Sequence, residues 1–156
     1  MLGSQVGRVK AKAPRVRERR RPGAGLCVLL LAICAGCYWR YYPQVMETHL
    51  ALLSSYSEKL ESLAEDHHAV PPDAWGEFTY PLERARDFSR IAARRFPGRA
   101  SLERFDVALD RYQDLLGDLG QLGAPGAAQA IAGKRHALDL AIAATRQALR
   151  DEAAAG

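Results

Sequence analysis

A chain of 156 residues is long enough for one domain with its own core and short for two. Alanine and leucine dominate and β-branched residues are sparse, a mix that favours helices over strands. The net charge of +4 is two opposite charges: residues 1–21 hold eight basic side chains and one acid, Glu18, for +7, while the remaining fourteen basic and seventeen acidic residues sum to −3. A basic head joined to a mildly acidic domain removes the argument for a nucleic-acid-binding domain, because the excess sits in a segment with a better explanation.

That explanation is the stretch that follows. From Ala24 to Trp39 there is no charged residue; arginines precede it and Tyr38, Trp39, Tyr41 and Tyr42 close it. Sixteen helical residues span about 24 Å, and extension to Tyr42 gives about 28 Å, close to the roughly 30 Å hydrocarbon core. Arg40 would snorkel, and the aromatics favour the interface. Three readings compete. An uncleaved signal anchor is preferred. A lipoprotein signal modified at Cys37 is second: Ala35-Gly36-Cys37 resembles the end of a lipobox, but Cys34 stands where leucine is usual. A cleaved signal peptide is third. The positive charge before the segment keeps the head cytoplasmic and turns the domain outward. Ala32 and Gly36 form one small-xxx-small pair, read as lipid-facing rather than as a packing motif. All three cysteines, Cys27, Cys34 and Cys37, lie here, so the downstream domain has no disulfide and no cysteine-ligated metal.

Downstream, four periodic stripes predict four helices. Val45, His49, Leu52, Tyr56, Leu60 and Leu63 fall at spacings of 4, 3, 4, 4 and 3, widened by Met46, Leu50 and Leu53. This helix either starts at Pro43 or continues the anchor through it, and it ends near His67 or His68, before Pro71-Pro72. Residues 69–80, with Trp75, Phe78 and Tyr80, are expected as a connection folded over the bundle end. Pro81 then suits a first turn, and Leu82, Ala85, Phe88, Ala92 and Phe96 make the second stripe, ended by Pro97-Gly98. Ser101 is the expected N-cap of a third helix with Leu102, Phe105, Leu109, Tyr112, Leu116 and Leu119 on one face. The turn Gly123-Ala124-Pro125-Gly126 leads to a last helix that runs to about Glu152, with Ile131, Leu138, Ile142, Thr145 and Leu149 inward.

Charge suggests an order. Residues 44–68 carry −4, residues 81–99 carry +4 and residues 101–118 carry −3, so a basic second helix is expected between acidic first and third helices. Arg86, Arg90 and Arg94 in that second helix are a candidate anion-binding surface, set against a solvated face paired with its neighbours. Glu65-Asp66-His67-His68 contains one Glu-x-x-His, whereas carboxylate-bridged di-metal bundles need two; no metal site is assigned. No Gly-rich phosphate loop, Gly-x-Ser-x-Gly, His-Glu-x-x-His or Cys-x-x-Cys-His occurs, so no catalytic or cofactor-binding residue is assigned and no cofactor is expected.

The expected architecture is all-α: an N-terminal transmembrane or signal-anchor helix followed by an up-down four-helix bundle. Its parts are a basic cytoplasmic head over 1–23, the anchor or lipoprotein signal over 24–42, an outward-facing bundle over 43–152 and a disordered tail over 153–156. The expected role is a non-enzymatic interaction or scaffolding module of the cell envelope, with the membrane and another protein as partners and no nucleic acid. The alternative is a small-ligand-binding or sensory bundle with a pocket near Trp75, Phe78 and Tyr80, possibly as a lipoprotein acylated at Cys37.

Overall fold

The computed structural model describes residues 23–155, with side chains from residue 41 onward. These residues form four helices: α1 (Gly23–Glu65), α2 (Trp75–Arg95), α3 (Ala100–Leu116) and α4 (Ala127–Ala155), with 3-10 turns at Pro72–Ala74 and Leu119–Gln121. Among the described residues there is no strand. The helical bundle belongs to the unit Gly36–Gly156. The basic head, the anchor as far as residue 40 and Cys37 lie outside the described side chains. Among the described residues no helix is long and apolar enough to cross a membrane.

Helix α1 passes through Pro43 instead of restarting there. Tyr42 and Met46, on either side, are both buried, and their burial holds the helix across a proline that would otherwise cost about 3 kcal/mol. Tyr42 therefore packs in the bundle, its ring 5.1 Å from Phe96 and 6.0 Å from Phe88. The buried seam of α1 is Met46, Leu50, Leu53, Ser57, Leu60 and Ala64, at spacings of 4, 3, 4, 3 and 4. The expected stripe was centred beside it: Val45 and Leu52 are exposed, and His49, Tyr56 and Leu63 are half-buried. Large apolar residues drew the expectation off the seam, because two of its members are small. Ser57 satisfies its hydroxyl locally, donating to the Ser54 carbonyl at 2.7 Å.

α1 ends in a Schellman motif. The His68 amide donates to the Leu63 carbonyl at 2.8 Å and the His67 amide to the Ala64 carbonyl at 3.2 Å. His67 occupies the left-handed position at φ 55°, where glycine is usual.

α2 starts at Trp75, six residues before Pro81, so residues 75–80 are helix and not connection. Two contacts hold this first stretch. The Trp75 indole donates to the Val70 carbonyl at 3.0 Å, closing the turn over Pro71-Pro72, and Phe78 is 2 % exposed in the core. Pro81 lies inside the helix, at its seventh residue, and is buried; having no N–H, it cannot donate to the Glu77 carbonyl four residues before it. The far end stops at Phe96-Pro97-Gly98, with Gly98 at φ +75°.

α3 has no side-chain cap of its own. Ser101 is not the N-cap: it is the second helical residue, and its amide is satisfied from another helix. The buried face comprises Leu102, Phe105, Ala108, Leu109, Tyr112 and Leu115, with Leu116 half-buried in place of the expected full burial. The helix ends at Leu116, and Leu119 is buried from the following 3-10 turn. In α4 all five expected inward residues are buried. Its helix continues through 153–155, beyond the expected end at Glu152, because the run is alanine, the best helix former.

The core has two clusters. One joins Tyr42, Met46 and Leu50 to Phe88, Phe105, Ile142 and Leu149; the other joins Leu60 and Ala64 to Phe78, Leu115, Leu122 and Ile131. Phe88 and Phe105 meet edge to face at 5.8 Å, as do Tyr56 and Phe78 at 6.0 Å.

Interhelix charge follows a different order from the one expected. The acids of α1 pair mainly with α4: Arg135 bonds Glu61 and lies 3.3 Å from Glu58, and Arg146 lies 2.9 Å from Glu47. α1 meets α2 through Lys59 and Glu77 at 2.6 Å, with the signs reversed from expectation. Regional net charge averages over a helix, whereas pairing depends on which few side chains share an edge.

Candidate functional site

The α2 arginines do not form one surface. Arg86 and Arg90 line an open groove of about 410 Å³ between α2 and α3, together with Ser89, Asp106 and Asp110. Arg86 bonds Gln113 and lies 3.7 Å from Asp110; Arg90 pairs with Asp87 at 2.6 Å. Ser89 donates to Asp106 at 2.5 Å. An anion entering this groove meets two carboxylates beside the two guanidiniums. Arg94 is exposed, outside the residues that line the groove. Arg84 stacks over Tyr80 at 5.9 Å.

The three aromatics expected to frame a pocket separate. Phe78 is in the core, Trp75 closes a turn and Tyr80 is 58 % exposed. Glu65 is the last residue of α1, so Glu65 and His68 do not share a helical turn; among the described residues no group of three metal-ligating side chains gathers.

Two polar arrangements escaped the sequence reading. At the Tyr42 end, Tyr42 and Ser101 hydroxyls lie 2.9 Å apart, and the Glu152 carboxylate accepts from both the Ser101 amide and its hydroxyl at 2.9 Å. Glu152 thus supplies, from the end of α4, the negative cap that the start of α3 lacks, and Arg99 at 3.9 Å balances its charge. Their sequence separation of 51 residues is why no local motif announced the cap. The second is His49, packed against Phe88 at 5.2 Å, with a buried Nδ1 that has no hydrogen-bond partner among the described residues. Burial first, then the nearby Arg84 charge, lowers its pKa from the ordinary 6.5. Tyr112, donating to the Phe78 carbonyl at 3.0 Å, is likewise pushed above its ordinary value by burial, with Tyr56 adding to it. Both arrangements join helix to helix inside the bundle.

The outer edge between α3 and α4 is different. Two open grooves lie along it, about 290 Å³ and 610 Å³, and Arg104 and Ala144 line both. Their floor is alanine from α4, and Val107 (44 % exposed) and Leu140 (59 % exposed) stand on the same edge. Comparison with protein-family models, with curated proteins and with solved structures finds no match to this chain.

Proposed function

We propose that the protein is a membrane-anchored, non-enzymatic interaction module: a cytoplasmic basic head, a single anchor and an outward-facing up-down four-helix bundle that presents a docking face. The observation that carries the interaction reading is the α3–α4 edge, where large apolar side chains are left in water beside open alanine-floored grooves. The membrane reading is supported by the uncharged run from Ala24 to Trp39 between the arginines and the aromatic cluster. The alternation of helix direction is supported by which ends meet: the start of α3 and the end of α4 converge on Tyr42, and the end of α3 and the start of α4 converge on Leu60.

Carbonate washing of membranes tests the anchor. The full-length protein should stay in the pellet; recovery in the supernatant overturns membrane residence. Mass spectrometry of the mature N-terminus then separates an intact signal anchor, which leaves residue 1 in place, from a lipoprotein, which begins at an acylated Cys37.

A further inference from the structure

We propose that the Tyr42 end of the bundle rests on the headgroups of anionic phospholipids, through Tyr41, Val45 and Ile91 with Arg94 beside them. This rests on the membrane-anchored reading and names what the near end of the bundle touches. Chain connectivity alone brings that end to the bilayer. Trp39 closes the uncharged run and Tyr42 follows three residues later, at most about 11 Å of extended chain. Phe96 packs on Tyr42, Ser101 bonds it and Glu152 bonds Ser101, so the end of α2, the start of α3 and the end of α4 lie at the same level.

The bundle's charge is divided along its axis. With each helix cut near its middle, the half nearer Tyr42 (residues 41–53, 86–109 and 142–155) holds eight basic side chains and six acids, for +2. The far half (54–85 and 110–141) holds five basic and eleven acidic side chains, for −6. An anionic surface therefore attracts the tethered end and repels the other. A Debye length of about 8 Å confines that attraction to charges close to the end itself. Arg94 is one of these. It is exposed and makes no ion pair among the described residues, whereas Glu47, Asp87 and Glu152 of the same half are held by Arg146, Arg90 and Ser101. Apolar side chains stand beside it. His49 packs against Phe88 and Tyr56 against Phe78, so α1 and α2 run antiparallel along a shared seam. Val45 lies four residues before His49 and Ile91 three after Phe88, which puts both at the seam on the side toward Tyr42. Tyr41 is one turn beyond Val45, Arg94 one turn beyond Ile91, and all three apolar residues are exposed. Arginine beside aliphatic and aromatic side chains suits the boundary between headgroups and acyl chains: the guanidinium meets phosphate while the apolar groups leave water. A soluble phosphate could use only the first of these.

The test uses the full-length protein with Ile91→benzoylphenylalanine, a photo-crosslinking side chain, in vesicles of equal parts phosphatidylcholine and phosphatidylglycerol. Flotation with the vesicles is read first and adduct mass after irradiation second. The floated protein should gain the mass of a phospholipid, with phosphatidylglycerol adducts exceeding phosphatidylcholine adducts about twofold or more. Tyr80→benzoylphenylalanine gives the comparison. Tyr80 is as exposed as Ile91 (58 % against 50 %) and lies eleven residues nearer the far end of the same helix, about 16 Å by the helical rise, so it should give no lipid adduct. Arg94→Glu added to the Ile91 variant should bring the two adducts to parity. Thermal melts matching wild type establish that the variants are folded. Floated protein with no lipid adduct at Ile91 overturns the proposal. So do equal adducts at Ile91 and Tyr80, a phosphatidylglycerol excess that survives Arg94→Glu, and an Ile91 adduct to protein in place of lipid. Protein that fails to float overturns membrane residence as well, so the two readings fail distinguishably.

Discussion

His67 and His49 show how single side chains are held in positions that cost something. His67 sits at φ 55° to let two amides close the end of α1. A side chain in the left-handed region is strained, and glycine is not, so His67→Gly should raise stability by about 0.5–1 kcal/mol in chemical denaturation. His49 carries an acid sensitivity. Its folded pKa lies below the ordinary 6.5, so on acidification the unfolded chain takes up a proton that the folded chain resists. Stability should hold above that value and decline as pH falls below 6.5, until the folded pKa is passed. The other three histidines are exposed. Denaturation midpoints between neutral and mildly acid pH should fall for wild type and stay flatter for His49→Leu; an identical slope in both would assign the acid sensitivity elsewhere.

Between helices, the two points that matter most are a cap and a seam. Glu152→Ala removes the acceptor for the α3 N-terminus and leaves the buried Ser101 amide and hydroxyl short of a partner. A cost of about 1–2 kcal/mol is expected, the upper range for a lost helix cap. Glu152→Gln should recover part of it by keeping one acceptor oxygen. Along the α3 seam, Leu109→Ala and Leu115→Ala should each cost about 2–5 kcal/mol, since both side chains are enclosed and leave cavities. Leu116→Ala should cost less, because that side chain is half-buried, and Asp110→Ala should shift stability by about 0.5 kcal/mol or less. Urea denaturation at one salt concentration orders the four variants.

For the whole molecule, the bundle boundary falls before Tyr42 and not after it. A fragment over residues 41–156 keeps the Tyr42 ring against Phe88 and Phe96 and its hydroxyl beside Ser101. One over 44–156 loses them. Both should give helical circular dichroism, but the longer fragment should be more stable by about 2–3 kcal/mol, the burial of one large side chain. Equal stability would place Tyr42 outside the cooperative unit. The α1–α4 ion pairs around Arg135 and Arg146 are partly solvated and contribute chiefly to which helices are neighbours.

Four helices and their approximate limits were legible in the chain because apolar periodicity and Pro/Gly punctuation are local signals. Pro97-Gly98 stops α2, and the inward face of α4 is as its spacing implies. The α1 seam shifted by a residue because Ser57 and Ala64 carry no hydrophobic signal until a neighbour packs on them. The start of α2 was hidden for a similar reason: Trp75 and Phe78 read as loop aromatics until Val70 and the core accept them. Arg86, Arg90 and Arg94 offered either an anion-binding surface or a solvated face paired with its neighbours, and only the packing of α3, which brings Asp106, Asp110 and Gln113 alongside, makes the part around Arg86 and Arg90 a mixed-charge groove. The cap on α3 could not be read at all, since its donor and acceptor meet only when α4 has returned across the bundle. Periodicity along one helix decides which residues turn inward; which side chains then share an edge, and so which polar groups are satisfied and which surface is left to dock, is decided only by packing between helices distant in sequence.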